Sequence, residues 1–62
     1  MRTCATAALG TYTDKAGQHL VHRLIFVEAD SMKDAKQQAH ADFASAFPQC
    51  ELLSILVEPA SQ

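Results

Sequence analysis

Two stretches of the 62-residue chain are strand-like and apolar on both of their faces. Residues 20–27 read LVHRLIFV and residues 52–57 read LLSILV. Both are rich in β-branched and large aliphatic residues, which fit the pleated surface of a strand. Neither alternates cleanly, so each carries large apolar side chains on both faces. Between them the period changes. Met32, Ala35, Ala39, Phe43 and Ala46 recur at helical spacing, with Lys33, Asp34, Gln37, Gln38, Ala41 and Ser45 on the opposite side.

The punctuation agrees with the periodicity. Residues 3–13 read as a first strand, with frequent Thr and with Tyr12 near the end, although Ala5, Ala7 and Ala8 are poor strand formers, and Asp14-Lys15-Ala16-Gly17 then supplies turn chemistry. An Asp carboxylate accepts from the backbone two residues on, and glycine takes a positive φ at the end of a type I turn. Residues 19–29 form a second strand, antiparallel to the first. Ser31-Met32-Lys33-Asp34 resembles a capping box with Asp at its last position, so a helix is predicted over residues 31–47, stopped by Pro48. Residues 51–58 form a third strand, ended by Pro59, and residues 60–62 are expected to fray.

The predicted fold is therefore α+β: one domain over residues 1–62, a ββαβ unit with one helix on a three-stranded sheet. A helix of this length returns the chain to the hairpin end of the sheet, so strand three runs parallel to strand two. The small Ala5 and Ala7 suit a central strand under an Ala-faced helix. The expected strand order is 2-1-3, half of a ferredoxin-like arrangement. That is an analogy of fold without functional content.

Composition narrows the functional classes. Five Lys and Arg against seven Asp and Glu give a formal charge of −2, which supplies no basic face for nucleic acid. No apolar run reaches the ~18 residues of a membrane span, and the Ala- and Thr-rich start does not make a secretory signal. Two cysteines are too few for a disulfide framework, so a cytoplasmic protein with free thiols is expected. Cys4 and Cys50 fall at opposite ends of the sheet, beyond the ~7 Å that a bridge allows.

His19, His22 and His40 lack the spacings of a zinc site, and no metal or other cofactor is expected. No nucleophile is paired with a base at recognisable spacing, and there is no phosphate-cradling glycine loop. The chain is therefore expected not to be an enzyme.

What remains is surface. One helix covers one face of the sheet, and the other face keeps its large apolar side chains. Leu20, His22, Leu24, Phe26, Leu52 and Leu56 are the expected partner-binding face. Glu28, Asp30, Asp34 and Glu58 gather at one end as a second candidate surface, suited to a host protein with a basic face. The expected function is a non-catalytic protein-binding module that forms a homodimer, by packing sheets face to face or by joining strand-three edges. Small acidic proteins without catalytic residues are typical of phage and mobile-element accessory genes, including inhibitors of host defence such as anti-CRISPR proteins, and this chain is expected to be of that type. The alternative is a small-ligand or minor enzymatic site at a subunit interface near Tyr12, His22 and Arg23. A nucleic-acid-binding accessory is the weaker alternative.

Overall fold

The computed structural model describes residues 2–60. Strands β1 (Arg2–Asp14) and β2 (Gly17–Ala29) form a long hairpin, helix α1 (Met32–Ala46) follows, and strand β3 (Glu51–Pro59) completes the sheet. The strand order is β2-β1-β3, and both outer strands run antiparallel to β1. The element order, the α+β class and the central position of β1 agree with the pattern of the sequence. The molecule is elongated, 43 × 18 × 14 Å, because the hairpin strands are thirteen residues each.

The hairpin turn is built as its residues dictate. The Ala16 amide donates to Asp14 Oδ1 at 2.8 Å, and Gly17 takes φ 119° where the chain re-enters the sheet. His19 Nε2 lies 2.9 Å from the same Asp14 oxygen, and its ring stacks on Tyr12 with centroids 4.8 Å apart. The helix begins equally locally. Ser31 is extended at φ −149°, ψ 165°, and its hydroxyl accepts from the Asp34 amide at 3.1 Å. That satisfies one of the amides a helix start leaves without a partner.

The core lies between α1 and one face of the sheet. Alternation along β1 turns Cys4, Thr6, Ala8 and Gly10 toward the helix, and all four are buried. Val27, the β2 partner of Cys4, and Ala29 two residues on are buried too, against Ala35, with Ile25 and Val57 packed alongside. Ala35, Ala39 and Phe43 are the buried residues of α1. Small side chains on both surfaces let the backbones approach, and Phe43 fills the gap over Gly10. Thr6 meets the polar requirement of this core by donating its hydroxyl to the Ile25 carbonyl at 3.1 Å.

Three expectations about this packing are corrected. Ala5 and Ala7 do not lie under the helix; their neighbours Ala8 and Thr6 do, so the central strand is small on both faces. Met32 is 48% exposed and Ala46 is exposed, which narrows the buried stripe to one residue per turn. Ala60 does not fray, because its amide donates to the Thr3 carbonyl at 3.0 Å. Ser61 and Gln62 lie outside the described residues.

Candidate functional site: the open face of the sheet

On the side away from α1, alternation along β2 presents Leu20, His22, Leu24, Phe26 and Glu28, all exposed. On β3 the same side carries Ser54, Leu56 and Glu58, in register with Leu9, Ala7 and Ala5. Leu20, Leu24, Phe26 and Leu56 are 66%, 76%, 73% and 67% exposed. Soluble monomers rarely leave several such side chains side by side in water.

The face is shaped as well as apolar. Ala5 and Ala7 on the central strand form a low floor. Leu24 and Phe26 rise on one side of it, and Leu56 and Glu58 on the other. Together they line an open trough of about 350 Å³. Ala5 and Ala7 were not read as part of this surface. Their signal was the strict alternation of β1, obscured because both of its faces carry small residues.

Leu52 belongs elsewhere. A β-bulge between Leu9 and Gly10 leaves Leu53 without a partner on β1 and puts Leu52 opposite Gly10, which faces the helix. One extra residue reverses the side on which everything beyond it falls. Leu52 is consequently half-buried and leaves the apolar face, while Leu53 is 53% exposed at the strand edge.

The acidic residues share an end of the domain but not a side. Glu28 and Glu58 flank β1 on the open face, opposite Thr3 and Ala5. The Thr3 hydroxyl donates to Glu28 Oε2 at 2.6 Å, and the Glu28 carbonyl accepts from Gln38 Nε2 at 2.8 Å. Asp30 follows β2, and Asp34 sits in the first turn of α1, where a carboxylate suits the helix dipole.

Tyr12, His22 and Arg23 do not converge. Tyr12 stacks on His19, His22 faces the open side, and Arg23 points the other way, into an ion pair with Asp42 at 2.8 Å. The bonded guanidinium holds the Asp42 carboxyl below its ordinary range, and the carboxylate raises Arg23 in return. Cys4 and Cys50 are free thiols, the first buried and the second half-buried. Among the described residues no group of three His, Cys, Asp or Glu is placed to hold a metal ion, and no helix is long and apolar enough to cross a membrane. The arrangement offers apolar contact area and a defined shape. Comparison with protein-family models, curated proteins and solved structures finds no match in any of the three.

Proposed function

We propose that this chain is a small protein-binding module that self-associates, with a second copy of itself on the open face of the sheet. The observation that carries the reading is the row of Leu20, Leu24, Phe26 and Leu56, all more than half exposed opposite the helix. Burying such a side chain contributes about 1.5–3 kcal/mol, so the four are worth roughly 6–12 kcal/mol per copy at most. That rivals the whole stability of a small domain. Three strands at ~4.8 Å spacing and ~3.3 Å per residue give the face some 500 Å² in projection, of the order that a standard interface takes from each partner.

Face-to-face packing is favoured over joined edges. Edge pairing would satisfy backbone groups and leave all four side chains wet. The bulge at Leu53 and Pro59 also interrupt the edge of β3, which leaves a regular run of only five residues, Ser54–Glu58, too short for two copies to join into one continuous sheet. The trough makes the face self-complementary. Two sheets related by a two-fold axis and offset by one strand spacing set the Leu24–Phe26 ridge of each copy over the Ala5–Ala7 floor of the other. Ala7→Leu tests this, because it fills the trough without touching the helix side. The proposal expects sedimentation equilibrium to show at least ~10-fold weaker dimerisation with an unchanged melting curve for the monomer, a cost of about 1.4 kcal/mol. An unchanged dissociation constant would contradict it.

A further inference from the structure

A second surface lies on the helix side of β3. Lys33, Lys36, Gln37 and His40 fall at i, i+3, i+4 and i+7 on α1, one stripe of a helix. The stripe forms one wall of a groove of about 530 Å³, and residues 52–55 of β3 form the other. Leu52 and Ile55 are half-buried there, and the bulged Leu53 stands at the rim. The outer edge of β3 has no strand beside it, since β3 is last in the sheet.

The charge of this groove is opposite to that of the chain. The protein carries −2 overall, yet the groove wall holds two lysines and a histidine and no carboxylate. None of the three makes an ion pair among the described residues, whereas Arg23 is committed to Asp42. Asp34 beside Lys33, Asp42 two residues past His40 and Glu51 beside Leu52 are the nearby acidic residues, and none of them lines the groove. Two lysines without an ion-pair partner among the described residues, beside an apolar floor and an open stretch of strand edge, suit the addition of an acidic strand: backbone bonds give affinity, and alternate side chains give selectivity.

We infer that the groove between α1 and β3 binds an extended acidic peptide, which adds as a fourth strand to the β3 edge with its carboxylates over Lys33, Lys36 and His40. The spacing suits this. Alternate residues of a strand repeat every ~6.7 Å, and residues three to four apart on a helix rise ~4.5–6 Å, a mismatch that flexible lysines absorb. The peptide's backbone bonds fall on the five residues Ser54–Glu58, between the bulge at Leu53 and Pro59, and a hexapeptide covers them. This inference is independent of self-association, because the groove and the open face lie on opposite sides of the sheet.

The test is fluorescence anisotropy with a labelled hexapeptide of alternating Glu and Val, with Gln–Val and Lys–Val hexapeptides and a short oligothymidine as comparisons. The expected result is binding of the Glu–Val peptide alone, weakening steadily as salt rises from about 50 to about 300 mM. Lys33→Glu with Lys36→Glu should weaken it ~10-fold or more, about 1.4 kcal/mol, with unchanged circular dichroism because both residues are exposed. Leu24→Asp should leave it intact, so loss of dimerisation and loss of peptide binding are separately visible. Equal binding of Gln–Val, indifference to the double charge reversal, or tighter binding of the oligothymidine would each overturn the inference. So would amide protection by the peptide along β2 instead of β3.

Discussion

The ring of Phe43 lies directly over Gly10 and occupies the space a β-carbon there would need, with the Glu51 carbonyl 2.8 Å from the same point. Glycine in a central strand has poor intrinsic propensity. Here it sets the distance between helix and sheet. Gly10→Ala should therefore destabilise by about 1–3 kcal/mol through overpacking, and Phe43→Ala by about 3–5 kcal/mol through the cavity it leaves. Urea titrations of the two variants check both figures. A neutral Gly10→Ala would mean that the helix rides higher on the sheet than described.

A serine hydroxyl caps the start of the helix. Ser31 accepts from the Asp34 amide, and its replacement by Ala should cost about 1 kcal/mol. Ser31→Asp restores an acceptor and should recover most of the loss. Thermal melts of the pair separate capping from a general effect of substitution.

Acid should weaken the fold through two named carboxylates. Asp42 is held below its ordinary value of 3.8 by the Arg23 guanidinium. Asp14 is lowered first by its bond to His19 and then by the Ala16 amide. A depressed folded-state value means that the unfolded chain binds more protons near and below pH 3.8, so stability rises with pH there. The contribution is fully present above 3.8 and is lost as pH falls through the lower folded values. Asp42→Asn and Asp14→Asn should each flatten the fall in melting temperature across that window. The Asp14 pair is exposed and the Asp42 pair only partly buried, so the effect should be modest and should shrink in high salt.

The two thiols should report on the core. Cys4 is buried against Val27 and Ala35, whereas Cys50 precedes β3 and is half-buried. A thiol reagent should modify Cys50 readily in the native protein and Cys4 only at the rate of unfolding. Mass spectrometry of partly labelled protein distinguishes the sites. Equal rates would show that the end of the core beside the helix start, where Cys4 lies, opens easily.

Much of this architecture was legible in the sequence because local and long-range signals agree. The Asp14–Gly17 turn, the Ser31 cap and the two apolar strands each point to the same ββαβ order. The strand order was legible too, although one reason for it was not sound. Ala5 and Ala7 suggested a helix-covered central strand, yet Cys4, Thr6, Ala8 and Gly10 supply that surface. When a strand is small on both faces, composition does not tell one face from the other. Leu52 was misplaced for a different reason. A bulge is a tertiary adjustment of register, and nothing in Glu51-Leu52-Leu53-Ser54 marks it. The groove beside α1 was hidden because Lys33 and Gln37 read as a solvated helix face until β3 is placed next to them.

The exposure of Leu24, Phe26 and Leu56 gives their substitution a definite outcome. Each lies outside the helix–sheet core, so Leu24→Asp, Phe26→Asp and Leu56→Asp should abolish assembly while preserving the far-ultraviolet circular dichroism of the folded chain. Loss of secondary structure in all three would instead place these residues inside an intramolecular core.

The central claim is that the open face is covered by a second copy. Multi-angle light scattering on a dilution series at micromolar concentrations tests it most directly, with wild type and Leu24→Asp run side by side. The account predicts a wild-type mass of twice the 6.7 kDa chain, falling on dilution, and a Leu24→Asp mass of 6.7 kDa throughout. A wild-type mass of 6.7 kDa at every concentration would contradict it.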